Sequence, residues 1–168
     1  MTRHVTIIGS MGSGKSTLGR GLADATGRQF FDSDEMINAR TGRTGREIAL
    51  DEGIDHLHSL EREVFFEGLA TPEPSVVAAA ASVIDDAAAR RALAATFCVW
   101  VNAVQEVIDE RLSSSSHRRL LRDDEGDRIV GRAQFFEKAA DLMINTGMVS
   151  AQDAVALVVV ALEGEAPS

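Results

Sequence analysis

The chain has 168 residues, of which 45 % are hydrophobic and 26 % are charged, a composition typical of a single globular domain. A net charge of −9 argues against a general nucleic-acid binder, because phosphate contacts need a basic surface. The single cysteine, Cys98, excludes a disulfide framework and a multi-cysteine metal site.

Short apolar strands alternate with helical patterns along the chain. In chain order the patterns predict a strand at 5–8, a helix at 15–26, a strand at 29–31, helices at 33–40, 44–50 and 54–69, a strand at 75–78, a helix at 86–95, a strand at 97–101, helices at 104–112 and 128–140, a strand at 142–144 and a helix at 151–162. This alternation predicts an α/β fold in which helices flank a five-stranded, mostly parallel sheet.

The apolar stretches of the chain are too short to span a membrane. The longest, at 154–162, has the length of a buried helix, whereas a spanning helix needs about 18 or more apolar residues. The run at 5–8 is too short for a signal peptide. We therefore expect a cytoplasmic protein of one domain, 1–168, that has neither a membrane nor a nucleic acid as its partner.

One motif carries chemistry, because residues 9–16 read GSMGSGKS and match the phosphate-binding loop pattern G-x-x-x-x-G-K-[ST]. Glycines let such a loop curl so that its backbone N–H groups point at phosphate oxygens. The Lys15 ammonium can reach the β- and γ-phosphates, and the Ser16 hydroxyl can ligate Mg²⁺. Ser13 fits a loop-filling role equally well. The candidate nucleotide ligands in this segment are Gly12, Ser13, Gly14, Lys15, Ser16 and Thr17.

The phosphate-binding loop predicts a nucleotide-binding protein without choosing its reaction. The chain lacks the N-K-x-D motif that reads guanine, which argues against a GTPase. Its length leaves no room for the extra modules of most mechanical ATPases. A small kinase that uses ATP as co-substrate fits best.

Several segments resemble the shikimate kinases, and the likeness runs from the first strand to Thr146. They are the loop at 9–19 with Met11, Gly12 and Gly19, the D-x-D triplet at 32–34, the G-x-x-x-x-E-I segment at 42–48, the lid segment at 118–121 and the helical segment at 132–141. The resemblance implies a P-loop nucleoside-phosphate-kinase-like fold, with a mobile lid at about 113–124 and a substrate-binding helical segment at about 33–69. It also implies transfer of the ATP γ-phosphate, with Mg²⁺, to the 3-hydroxyl of shikimate, a step in aromatic amino acid biosynthesis.

The resemblance assigns roles to two carboxylates. Asp32 resembles the carboxylate in the Mg²⁺ water shell, so Ser16 and Asp32 are the metal-site candidates. Asp34 resembles the residue that hydrogen-bonds the substrate hydroxyls, and it is a candidate acceptor of the reacting proton. The alternative is that both carboxylates cap a helix that begins near Ser33.

Three arginines complete the implied site. Arg118 resembles the lid arginine that closes onto the phosphates, and Arg132 resembles the arginine that pairs with the substrate carboxylate. Arg111 falls where the family has an arginine against adenine. The alternatives are a solvated charged loop for Arg118 and a surface ion pair for Arg132. The catalytic candidates are therefore Lys15, Asp34 and Arg118.

Two differences from the family pattern fall in the substrate pocket. Alanines replace the family's glycine triplet, and their methyl groups take space and disfavour positive φ. His58, which is shorter than arginine and mostly neutral at pH 7, replaces a second carboxylate-binding arginine. With one arginine instead of two, we expect substrate binding to weaken by roughly 1.5–3 kcal/mol. The substrate-binding candidates are Asp34, His58, Ala79, Ala80, Ala81 and Arg132.

These differences leave several functions open. The first is an ATP-dependent kinase that phosphorylates a small hydroxylated acid, shikimate above all, and acts as a monomer. The second is a kinase for a related cyclitol or polyol. The third is a paralogue that binds nucleotide without kinase activity or serves as a nucleotide-dependent switch for a partner. Two further differences lie outside the pocket: Arg119 replaces the lid proline, and Phe136 replaces the family tyrosine.

Overall fold

A computed structural model describes residues 3–103 and 125–164 of the chain, with side chains in the second range from residue 131 onward. The elements in chain order are β1 (Val5–Ile8), α1 (Lys15–Thr26), β2 (Phe30–Asp32), α2 (Ser33–Thr41), α3 (Gly45–Glu52), α4 (Ile54–Leu69), β3 (Val76–Ala78), a 3₁₀ turn (Ala81–Asp85), α5 (Ala87–Leu93), β4 (Phe97–Asn102), α6 (Glu125–Ala139), β5 (Leu142–Asn145) and α7 (Ala151–Gly164). Among the helices of these two ranges, none combines the length and apolarity that crossing a bilayer requires.

The five strands form one sheet in the order β2-β3-β1-β4-β5, and each neighbouring pair is parallel. The central strand is β1, whose Val5 lies opposite Val76 of β3 and Phe97 of β4. Because parallel strands end at one edge, the loops after β1, β2 and β3 gather there, where sheets of this kind bind ligands. The prediction of a five-stranded parallel sheet flanked by helices is confirmed.

Two apolar layers cover the two faces of the sheet. Neighbouring residues of a strand point to opposite faces, so Ile7 packs into one layer and Ile8 into the other. The first layer includes Leu22 of α1 and Val158 of α7, and the second includes Phe65 of α4. Burial on both faces explains why the central strands read as continuous apolar runs.

Strand β4 and helix α6 meet through aromatic side chains in the second layer. The rings of Trp100 and Phe136 are stacked, with their centroids 6.1 Å apart. Cys98 is buried in the same layer, and this burial raises the pKa of its thiol to about 12. The thiol is therefore protonated near neutral pH.

Helices α2, α3 and α4 pack on one another through a third apolar cluster beside the carboxyl edge of the sheet. Its buried members are Ile37, Ile48, Leu57 and Val64. The start of α3 is fixed by a capping box, in which the Thr44 side chain and the Glu47 side chain each accept from the other's backbone N–H. These three helices form the segment that the sequence predicted at about 33–69.

Several element boundaries differ by one to three residues from the predicted ones, most of all at α6, which begins at Glu125 and not at residue 128. Helix α5 begins one residue later than expected, because the Asp86 side chain accepts from the Ala89 backbone N–H at 2.8 Å and so caps the helix from outside. The 3₁₀ turn Ala81–Asp85 was not predicted, since five residues are too few to show a period. The helix predicted at 104–112 lies outside the described residues.

Candidate active site

A cavity of about 500 Å³ opens at the carboxyl edge of the sheet. It joins the phosphate-binding loop to the ends of β2 and β3, helices α2 to α4 and helix α6. The predicted site residues that line it are Gly12, Gly14, Lys15, Ser16, Thr17, Asp32, Asp34, His58, Ala79, Ala80, Ala81 and Arg132. Ser13 is buried. Arg111, Arg118 and the predicted lid at 113–124 lie outside the described residues.

Three glycines give the phosphate-binding loop its curl. Gly9, Gly12 and Gly14 have φ angles of 143°, 78° and 106°, which L side chains rarely adopt. A Cβ on Gly9 would also lie 2.2 Å from the backbone oxygen of Val101, so this position has no room for a side chain. The loop is also tied to the segment after β5, because the Thr146 hydroxyl donates to the Ser13 carbonyl at 2.6 Å.

The Lys15 ammonium lies over the loop. Its Nζ donates to the backbone oxygens of Gly9 at 3.0 Å and Ser10 at 2.9 Å. The positive charge therefore lies beside the N-terminus of α1, which itself favours anions. A phosphate bound here would replace the two backbone carbonyls as the partner of the ammonium. The hydrogen bond to the charged phosphate would be the stronger one.

The two oxygens of the Asp32 carboxylate have different partners. Oδ1 accepts from the backbone N–H groups of Asp34 at 3.0 Å and Glu35 at 3.3 Å, which caps helix α2. Oδ2 accepts from the Ser16 hydroxyl at 2.6 Å. Asp32 is therefore the N-cap of α2, as the alternative for this residue had it, and it also contacts Ser16. Its role at a metal ion stays a prediction.

Asp34 has a different position from Asp32. It is exposed on the first turn of α2 and lines the cavity. The intervening residue, Ser33, is buried and connects α2 to the end of β3. Its hydroxyl donates to the Ala78 carbonyl at 3.2 Å and accepts from the Ala80 N–H at 3.3 Å.

In the alanine run after β3, Ala80 adopts an ordinary extended backbone conformation. Ala80 has φ −62° and ψ 151°, so the strain expected for an alanine at positive φ does not arise there. The Ala79 N–H donates to the Ile7 carbonyl at 3.0 Å, which extends the pairing of β3 with β1. The methyl groups of Ala79, Ala80 and Ala81 therefore act on the cavity through their volume.

Helix α4 contributes His58 and Glu61 to the cavity. His56 faces away and its Nε2 lies 3.1 Å from the exposed Glu52, as expected for histidines two residues apart on a helix. Glu61 accepts a hydrogen bond from the buried Ser82 hydroxyl, which ties α4 to the 3₁₀ turn. The hydrogen bond therefore holds the Glu61 carboxylate beside the end of the alanine run.

Arg132 lines the cavity from α6 and is only 4 % exposed. Its Nε lies 3.1 and 3.0 Å from the two carboxylate oxygens of Asp85, and its Nη2 donates to Oδ2 at 2.7 Å. The two side chains form an ion pair in which the arginine is buried, whereas the alternative weighed from the sequence was an ion pair at the surface. The substrate-binding role of Arg132 stays a prediction.

Sequence reasoning missed several residues of this site: Arg46, Glu61, Asp85 and Thr146. Arg46 and Glu61 line the cavity within the segment predicted to bind substrate, so their place in that segment could have identified them. Asp85 stands 47 positions from Arg132 in the chain, and no local pattern links the two.

The comparisons with known proteins agree with this geometry. A family model described as shikimate kinase matches residues 11–163. A shikimate kinase of Symbiobacterium thermophilum is 34 % identical over 161 residues, which cover 91 % of this chain and 92 % of that protein. A shikimate kinase of Thermobifida fusca is 31 % identical and covers 90 % of each chain.

Solved structures give the same result. A shikimate kinase from Acinetobacter baumannii in complex with shikimate superposes with a TM-score of 0.85 at 26 % identity, covering 99 % of this chain and 97 % of that one. A gluconokinase from Sinorhizobium meliloti, at 18 % identity and a TM-score of 0.58, shares the fold alone. With the family model and the two relatives matching nearly the whole chain, the chain belongs to the shikimate kinase family.

Proposed function

We propose that this chain transfers the γ-phosphoryl group of ATP to the 3-hydroxyl of shikimate. The observation that carries the proposal is one cavity lined together by the phosphate-binding loop, by Asp34 and by the buried Arg132. These are the parts that phosphoryl transfer to a small hydroxylated acid needs: a phosphate cradle, a group that orients the hydroxyl and a cation for the acid.

The nucleotide end of the cavity supports ATP as co-substrate. The positive φ angles of Gly12 and Gly14 direct backbone N–H groups inward, and Lys15 adds a cation at the same mouth. Thr17 lines the cavity on the first turn of α1, within reach of the same phosphates. By resemblance, Arg118 would contact the phosphates and Arg111 the adenine.

The residues present also fit a magnesium ion. The Ser16 hydroxyl and the Asp32 carboxylate lie 2.6 Å apart at the edge of the phosphate cradle, and both offer the hard oxygen atoms that Mg²⁺ prefers. Bound there with the nucleotide, the ion would neutralise phosphate charge during transfer. The capping bonds to Oδ1 hold the carboxylate so that Oδ2 faces Ser16.

Asp34 is the group we propose for the reacting hydroxyl. Its carboxylate would accept a hydrogen bond from that hydroxyl, orient the oxygen toward the γ-phosphorus and receive the proton as the new P–O bond forms. The Arg132 guanidinium would face the acid group of the acceptor. His58 and Ala79 to Ala81, which also line the cavity, would contact the ring of the acceptor.

The test is ADP release on addition of shikimate, with ATP and Mg²⁺ present. The wild-type chain should release ADP in proportion to shikimate consumed, and product analysis should give the 3-phosphate. Replacing Lys15 by alanine should lower kcat/KM at least about 10³-fold, and Asp34→Asn about 10²- to 10⁴-fold, both without unfolding.

A matched control is Asp24→Asn, which removes the same charge from an exposed position on α1 that does not line the cavity. It should keep full activity. Wild-type ADP release that is indifferent to shikimate, or full activity in Asp34→Asn, would contradict the proposal.

A further inference from the structure

The Arg132 side chain already has a carboxylate partner inside the protein. Its side chain is 5 % exposed, while that of its partner Asp85 is 42 % exposed. Three contacts of 2.7 to 3.1 Å join the two side chains, through Nε and Nη2 of the guanidinium. Asp85 therefore holds one whole edge of the fork in the two-pronged manner that a ligand carboxylate would use.

The backbone around Asp85 is anchored where it meets α6. Arg90 Nη1 donates to the carbonyls of Ile84 at 2.7 Å and Asp85 at 2.9 Å. The Arg90 guanidinium also lies 4.8 Å from the centroid of the Phe135 ring, which belongs to the same helix as Arg132. These contacts tie the end of the 3₁₀ turn to α6, so Asp85 is presented to Arg132 by the fold itself.

An acidic acceptor meets two obstacles at this arginine. One edge of the guanidinium is occupied, so the strongest two-pronged contact is taken unless Asp85 moves aside. The negative charge of Asp85 also repels a second carboxylate that approaches the same cation. Both obstacles weaken the binding of the acceptor's carboxylate and do not affect the binding of its hydroxyls.

We propose that Asp85 is a specificity-determining residue, whose carboxylate competes with that of an acidic acceptor for Arg132 and thereby sets the affinity of the site for acids. The inference rests on the proposed function, because it takes Arg132 as the acid-binding group. It assigns to Asp85 a role in choosing between charged and uncharged acceptors of the same shape.

The experiment compares wild type with Asp85→Asn on two acceptors, shikimate and its uncharged methyl ester. The asparagine keeps an oxygen that accepts from Arg132 and removes the competing charge. The KM for shikimate should fall about tenfold with kcat and the KM for ATP unchanged, since only ground-state recognition of the acid is altered. The KM for the methyl ester should stay the same.

Two controls isolate the pair. Asp86→Asn makes the same charge change one residue along, on a carboxylate that caps α5 and contacts Arg62, and should leave the shikimate KM unchanged. In an Arg132→Met background, Asp85→Asn should no longer improve the shikimate KM. Asp85→Ser is a second variant without the charge, in case the asparagine perturbs the turn.

Direct binding of shikimate, measured by calorimetry without ATP, separates the two proposals. If wild type releases no ADP with shikimate, the proposed function fails, and tighter shikimate binding by Asp85→Asn still decides the inference. The inference is overturned if the shikimate affinity is unchanged or weaker in both Asp85→Asn and Asp85→Ser. A weaker affinity would mean that Asp85 positions Arg132. An equal gain for the methyl ester would also overturn the inference.

Discussion

At the scale of single residues, Gly9 is the position at which the phosphate-binding loop tolerates substitution least. Its φ of 143° lies in a region that residues with a side chain rarely adopt, and the Val101 carbonyl occupies the space that a Cβ would need. Gly27 offers a natural comparison, because it also has a positive φ, 66°, but has nothing within 4 Å of the added carbon. Conformation and crowding can thus be separated within one protein.

We expect Gly9→Ala to destabilise the fold by at least about 3 kcal/mol, because backbone strain and overlap with Val101 add. Gly27→Ala carries only the conformational cost, about 1–2 kcal/mol. Urea unfolding of both variants measures the difference, and calorimetry should show that ATP binding is lost in the first and retained in the second. Equal losses of stability would mean that the contact with Val101 relaxes freely.

At the scale of elements, the start of α5 depends on one carboxylate. The Ala89 backbone N–H donates to Asp86 and holds the pKa of that carboxyl below its ordinary value of 3.8. A folded-state pKa below the unfolded one means that ionised Asp86 stabilises the native state above about pH 4, and that this stabilisation is lost as the pH falls through the lower folded value. The cap is therefore a local element whose strength depends on pH.

Replacing Asp86 by alanine should lower the free energy of unfolding by about 1 kcal/mol at pH 7, as expected for loss of an N-cap. The gap between wild type and this variant should narrow as the pH is lowered from 5 to 3, because the wild-type carboxyl becomes protonated. Asp86→Asn, which caps without titrating, should keep its advantage over alanine across this range. Urea denaturation at each pH measures all three, and a constant gap for wild type would contradict the expectation.

At the scale of the whole molecule, the sheet couples the two apolar layers. Strand β1 sends Ile7 into one layer and Ile8 into the other, so neither layer can open without disturbing the central strand. Leu22 and Phe65, one in each layer, are both completely buried. We expect the described core to unfold as one cooperative unit.

Leu22→Ala and Phe65→Ala should each lower the free energy of unfolding, by about 2–5 and 3–5 kcal/mol respectively, through the cavities they leave. Each should give a single transition in urea with an unchanged dependence on denaturant. Leu50→Ala is the control, since Leu50 is 62 % exposed and its truncation should cost no more than about 0.5 kcal/mol. A second transition in either core variant would mean that the layers unfold independently.

Sequence predicts those parts of the architecture that depend on local residue patterns. The loop at 9–16 follows from a fixed spacing, and the strands follow from apolar runs, because both depend on neighbours in the chain. From the sequence Asp32 could be a helix cap or a metal-site carboxylate, and only the fold shows that one oxygen caps α2 while the other accepts from Ser16. The pairing of Arg132 with Asp85 depends on where the 3₁₀ turn lies beside α6, which no local pattern records.

The stacking of Trp100 on Phe136 has a consequence for experiment. Trp100 is the only tryptophan of the chain, and Phe136 lies one turn after Arg132 on the same helix. Any ligand that shifts α6 at Arg132 will therefore change the surroundings of one indole ring. Acceptor binding can therefore be followed by the intrinsic fluorescence of Trp100, without a label and without turnover.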